Sequence, residues 1–285
     1  MYAIRGGVST LADALTEAIK RSGGSVRFDT PVLRISYDAN GRATGVTLLS
    51  GETVGARRAI VSNLTVWDTY GKLVGLDRTP VDIRARLRVL RGWGAYLLYL
   101  SMEEETRRRL PADRLLALTD WQEGAPFSPE HSQFTFSAAP DWDGRAPAGK
   151  CAVTVSTFTD VEQWFSYQES ETESAAQDGL LLETWWERIH TAMPELGAGV
   201  EVIETATPRT FYEHTRRKLG MVGGLGQSLA QFGPNSFTHL TPLENLYMVG
   251  DSTFPGQGVA AVTVSALIVA NEIAPPHKRA AGRYS

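Results

Sequence analysis

Apolar residues change their spacing several times along the chain, and each change predicts an element. Leu11, Leu15 and Ile19 recur at helical spacing after Gly6-Gly7-Val8-Ser9, and Ser22, Gly23 and Gly24 interrupt the pattern. A helix of about three turns is expected there. Ser25–Phe28, Val32–Tyr37, Thr44–Leu49 and Thr53–Ser62 then alternate or run apolar, with turns at Asp38-Ala39-Asn40-Gly41 and Ser50-Gly51. This pattern predicts a helix followed by a β-meander.

From Leu64 to about Leu240, amphipathic helices mix with widely spaced strands, expected at Gly94–Leu100, Gln133–Ala138, Cys151–Phe158 and Val200–Thr205. An α+β unit inserted into the first is the expected arrangement. Ser170 and Glu173 form a capping box before a long helix carrying Leu181, Leu182, Trp185, Trp186 and Ile189, and its tryptophan pair reads as core. Asn245–Val249 is then a short apolar strand, Gly250-Asp251 a sharp turn, and Val259–Ile273 a helix rich in Ala and Val. Pro275, Pro276 and mixed charge read as a frayed tail. The expected domains are residues 1–63 and 241–285 as one, split by 64–240 as the other.

At 285 residues and 42% hydrophobic content, the chain can bury one large core or two modest ones. Its formal net charge of -4, with Lys and Arg spread along the sequence, argues against nucleic acid as a partner. A single cysteine, Cys151, lies in an alternating run and reads as a small core side chain, excluding intrachain disulfides and multi-thiolate metal sites. The five histidines never fall at spacings that put two ligands on one helix face, so no metal site is expected. No secretory signal opens the sequence, and the longest apolar stretch, Val259–Ala270, falls short of the roughly 20 residues needed to span a bilayer. A buried helix in a cytoplasmic protein is the expectation.

The chemistry is concentrated in Val249-Gly250-Asp251-Ser252-Thr253-Phe254-Pro255-Gly256-Gln257-Gly258-Val259. A strand ending in Gly-Asp, a Gly/Pro loop and a helix start would direct unpaired N–H groups and the positive helix end to one point, which suits an electron-rich group. A reduced flavin carries negative charge on its pyrimidine edge, and Gly256 and Gly258 would let the ring approach. Asp251 would repel a pyrophosphate but could accept hydrogen bonds from ribityl hydroxyls. The competing reading has Asp251 merely capping the helix.

The run from Leu246 to Val262 closely resembles the C-terminal FAD signature of the phytoene desaturase and carotenoid cis-trans isomerase family, which includes retinol saturase. Gly6-Gly7, the first helix, Gly23-Gly24 and Val32-x-x-Ile35 are similar to the family segment that passes the adenine. Arg58–Asn63 resembles the strand leaving the FAD domain, and Thr207-Pro208 with Gly220–Gly224 resembles the stretch before the signature. The resemblance implies FAD as cofactor, an α/β fold of the glutathione-reductase-like, amine-oxidase type, and an inserted mixed-sheet substrate domain. It also implies cofactor contacts from Val32, Gly250, Asp251, Pro255, Gly256, Gln257, Gly258 and Val259. The family begins with a strand, a Gly-x-Gly-x-x-Gly turn and a helix, and nothing near residue 1 supplies them. Gly224-Leu225-Gly226-Gln227-Ser228-Leu229 lacks the third glycine and reads as a flexible loop over the flavin. An incomplete FAD-binding domain, with a missing N-terminal half as partner, is therefore expected.

The implied activity is oxidoreduction of a long apolar polyene such as a carotenoid, by desaturation, saturation or flavin-assisted cis-trans isomerisation. No acid/base or nucleophile arrangement has recognisable spacing, so no catalytic residue is named. Trp93, Tyr96, Trp164 and Phe165 read first as core, with an apolar tunnel lining or a peripheral membrane face as alternatives. Two rival functions are a flavin amine oxidase and a non-catalytic half that needs a partner chain to bind FAD.

Overall fold

The computed structural model of the chain describes residues 3–119, 122–124, 128–144, 146–166, 171–226, 228 and 230–275. Helix α1 (Ser9–Arg21) is followed by strands β1 (Val32–Tyr37), β2 (Ala43–Leu48), β3 (Thr53–Gly55) and β4 (Ile60–Ser62), then by α2 (Val66–Asp68), a π-helical stretch Thr69–Gly75 and α3 (Val81–Val89). Strand β5 (Gly94–Glu103), α4 (Glu104–Arg107), β6 (Arg114–Leu118), α5 (Pro129–Ser132), β7 (Gln133–Ala138) and β8 (Lys150–Thr159) come next. After α6 (Gln163–Ser166), α7 (Glu171–Ala192), β9 (Val200–Ala206) and α8 (Pro208–Thr215), the chain ends in β10 (Leu246–Met248) and α9 (Val259–Ile273).

These elements form two compact units, one of residues 1–28 with 94–220 and one of residues 29–93 with 221–285. The junctions at 93/94 and 220/221 lie inside the 64–240 stretch marked by the sequence pattern.

The first unit, called the sheet unit here, is built on a five-stranded antiparallel sheet in the order β6-β7-β8-β5-β9. Strict alternation in β5 sends Tyr96, Leu98, Leu100 and Met102 to one buried face, and β8 pairs with it from Gly94↔Thr159 to Glu103↔Lys150. Helix α7 covers that face with Trp185 and Ile189, and the Phe134 and Trp185 rings meet edge to face at 6.2 Å. Each large side chain buried this way stabilises the unit by about 1.5–3 kcal/mol. Cys151 is buried here, and burial pushes its thiol up to about 11. Arg107, buried at the end of α4, holds the chain beyond it through a two-pronged bond to Asp113 at 2.9–3.0 Å and a contact with Asp141.

The second, or meander, unit contains the antiparallel sheet β1-β2-β3 and a parallel pair, β4 with β10, in the register Leu246↔Ile60 to Met248↔Ser62. The two sheets are tied at the start of β10, where the Asn245 side-chain amide donates to the Ala43 carbonyl at 2.7 Å and the Ala43 N–H donates to the Glu244 carbonyl at 3.0 Å. Among the described residues, no helix is long and apolar enough to cross a membrane.

Three expectations need correction. Ser25–Phe28 is irregular and belongs to no ladder, because its short alternation finds no strand to pair with. The run Thr53–Ser62 is two strands: β3 stays in the meander while β4 leaves it for β10. Helix α9 has the expected bounds but is not a buried helix, since only Ser265 and Val269 are buried while Leu267 is 56% exposed. A helix apolar on all sides needs neighbours on all sides, and here only one face has them. The expected cap Ser170 lies outside the described residues, as do Gln227, Leu229 and the tail from Pro276.

Candidate functional site

The meander unit brings the segment from Gly250 to Val259 into one structure. Strand β10 delivers the chain to Gly250 beside β4, with the Val249 N–H bonded to the Ser62 carbonyl at 2.9 Å. Gly250 and Asp251 then form the expected turn. The turn is fastened from below by α9: the Ser265 hydroxyl, fully buried, accepts the Gly250 N–H at 2.9 Å. Thr253 closes the loop by donating its hydroxyl to the Gly250 carbonyl at 3.0 Å, and lies 2.9 Å from the Ser265 oxygen. His239 completes the set with its Nε2 3.2 Å from that oxygen. Burial holds the His239 imidazolium below the usual histidine range, against a smaller upward effect of its bond to the Phe254 backbone.

The loop then passes through a cis Phe254–Pro255 bond into α9. Asp251 does not cap this helix. The cap position is Gly258, which has no side chain to bond the first-turn N–H groups, so that turn keeps them open. At φ +97° Gly258 occupies backbone space that L side chains rarely adopt, and a Cβ placed there would meet no protein atom within 4 Å. Beside the turn, the Ser252 hydroxyl is buried with no hydrogen-bond partner among the described residues. An uncapped helix start, open space at a glycine and an orphaned buried hydroxyl fit an electron-rich ring with polar substituents seated against the loop.

A second strand of chain packs on this loop. Val222 donates its N–H to the Trp93 carbonyl and Gly226 to the Arg91 carbonyl, both at 2.8 Å, so Met221–Gly226 is fastened at two points rather than loose. Gly224 approaches so closely that a Cβ would collide with the Asp251 backbone carbonyl, and one on Gly223 would collide with the Gln257 side-chain amide. These glycines give the stretch Gly220–Gly224 its physical meaning.

Of the expected contact residues, Gly250, Asp251, Pro255, Gly256, Gln257, Gly258 and Val259 share this loop and helix start. Val32 opens β1, paired with Leu48 across the meander. Ser265, Thr253 and His239 were missed. Their only signal in the sequence is a polar residue within the apolar run of α9, which does not reveal its partners. In the sheet unit, burial raises the carboxyl of Asp178 on α7, against a weaker lowering by the Thr205 hydroxyl 3.4 Å away. Among the described residues, no group of His, Cys, Asp and Glu could hold a metal ion.

The family described as flavin containing amine oxidoreductase matches residues 1–274. Prolycopene isomerase from Daucus carota is 27% identical over 276 residues, covering 94% of this chain and 43% of its own length. A zeta-carotene-forming phytoene desaturase from Myxococcus xanthus is 26% identical over 277 residues, covering 94% of this chain and 52% of its own. The resemblance to the carotenoid desaturase and isomerase family is thereby borne out, and the chain spans about half the length of these curated relatives. An oxidoreductase from Methanosarcina mazei superposes with a TM-score of 0.65 at 18% identity, over 93% of this chain and 54% of that one. That likeness extends to the fold, with its mixed α/β content.

Proposed function

The chain belongs to the flavin-containing amine oxidoreductase family, and on that premise we propose that its meander unit forms one wall of an FAD site in an enzyme acting on a long apolar polyene such as a carotenoid. The observation that carries this is the Gly250-Asp251 turn, pinned to Ser265 and leading through Gly258 into an uncapped helix. When bound, FAD would supply the redox or electron-donating chemistry for desaturation, saturation or cis-trans isomerisation of the polyene. The open N–H groups at the start of α9 stabilise negative charge on the flavin ring, Gly256 and Gly258 admit it, and Asp251 accepts hydrogen bonds from the ribityl chain. Val32 presents its backbone to the adenine. The sheet unit, with its apolar face and aromatic residues, is the substrate domain in this reading. The names of the relatives support an isomerase or a desaturase.

A second reading, that the chain needs a complementary segment to close the FAD site, is favoured by its bare apolar surfaces. Helix α1 buries none of its residues, leaving Leu15 and Ile19 exposed, while Val264, Leu267 and Ile268 are exposed on α9. Among the described residues, the parallel sheet that supports the Gly-Asp turn has two strands. Titrating FAD into the purified chain tests both readings. Saturable quenching of flavin fluorescence is expected, with an affinity that rises when a dinucleotide-binding strand-turn-helix segment is supplied. No quenching under either condition would reject the site.

A further inference from the structure

A polar cleft of about 430 Å³ lies in the meander unit between β1 and the π-helical stretch, and none of its lining residues belongs to the 250–259 loop. Its size lies within the range that holds small ligands. Three cations line it: Arg34 from β1, Lys72 from the π-helical stretch, and Arg78 just beyond. The guanidinium of Arg78 sits 4.7 Å over the Tyr37 ring, which fixes its plane. Asp77 is the acid in the lining; Asp68, nearly buried beneath, holds Lys72 at 2.6 Å. No ion pair engages Arg34 or Arg78 among the described residues, so the cleft keeps an excess of positive charge.

The cleft is rigidly built. Thr79, almost fully buried, bonds the Tyr70 and Gly75 carbonyls at 2.8 Å each and so fixes the turn carrying Asp77 and Arg78. Ser36 and Thr47 bond each other across β1 and β2 at 2.9 Å and add hydroxyls to the lining. Tyr37 contributes its ring to this wall; its hydroxyl is buried, with no hydrogen-bond partner among the described residues. Two guanidinium groups without an ion pair, beside the Ser36 and Thr47 hydroxyls, suit an anion with several acceptor oxygens.

We propose that this cleft binds a phosphate-bearing small molecule, with Arg34 and Arg78 engaging the phosphate oxygens. The two arginines supply planar forks that match phosphate geometry, and Lys72 adds a point charge at the rim. The site is separate from the proposed flavin wall, so it stands whether or not that reading holds.

Calorimetric titration of the full chain with inorganic phosphate, pyrophosphate and ADP, without flavin, tests the proposal. Saturable binding of at least one of the three is expected. It should weaken about 10-fold or more in Arg78→Gln and in Arg34→Gln, each of which removes a charged fork from the phosphate. Arg34 and Arg78 are both exposed, so neither change should disturb the fold, which circular dichroism checks. Comparing pyrophosphate with ADP shows how much beyond the phosphate is recognised. No saturable binding of any of the three, or equal affinity in both variants and the unaltered chain, would overturn the assignment.

Discussion

The two units bury their apolar residues to very different extents. In the sheet unit, Tyr96, Leu98, Leu100, Phe134, Phe136, Val153 and Val155 meet α7 in a closed core, and each is 2% exposed or less. In the meander unit, α9 is the most apolar helix of the chain, yet it leaves Val259, Val264, Leu267 and Ile268 at the surface. The contrast separates two kinds of hydrophobic sequence. One is apolar because it is buried by the chain's own helix; the other is apolar on faces that nothing in the described structure covers, and it follows the Gly250-Asp251 turn.

Substitutions at matched positions would break this comparison if it is wrong. The largest effect is expected in the sheet unit: Phe136→Ala should cost about 3–5 kcal/mol in chemical denaturation, because it empties a core site with no route to collapse. Ser265→Ala should cost about 1–3 kcal/mol, since the Gly250 N–H loses its acceptor while remaining sheltered. Flavin quenching should weaken in the same variant, which a simple core residue would not do.

Opposite pH responses sharpen the contrast. His239 in the meander unit has a lowered folded pKa, so the unfolded chain takes up the proton first and stability falls as pH drops below about 6.5. Asp178 in the sheet unit has a raised folded pKa, so its charged form is a cost at neutral pH that is relieved as pH falls toward the carboxylate range. Melting curves between pH 7 and pH 5 should show a smaller acid loss in His239→Gln than in the unaltered chain, and Asp178→Asn should remove the opposing gain. The smallest effect is expected on the bare helix face, where Leu267→Ala should stay within about 0.5 kcal/mol of the unaltered chain by denaturation.

Much of this organisation was legible in the sequence where one pattern dominated. Strand β7 and helix α9 have their expected bounds because strict alternation and a long Ala/Val run each suit one element. Strand β6 was missed: Arg114-Leu115-Leu116-Ala117-Leu118 clusters its leucines as a helix would, and only pairing with β7 makes it extended. The Gly250-Asp251 turn and the Gly258 helix start were legible as local features. The bonds that hold them were not, because His239, Thr253 and Ser265 lie on three segments and meet only in the folded unit. Burial of α9 was misjudged because apolar composition reports what a helix requires, not what the chain provides to cover it.

The central claim is that the open helix start at Gly258 receives the flavin. Its most direct test is an FAD titration of Gly258→Val against the unaltered chain, followed by flavin fluorescence and absorption. Valine at φ +97° is strained and fills the space that the ring would occupy. The account predicts at least tenfold weaker FAD binding in the variant, about 1.4 kcal/mol or more, with an unchanged circular dichroism spectrum. Equal FAD affinity in the two proteins would contradict it.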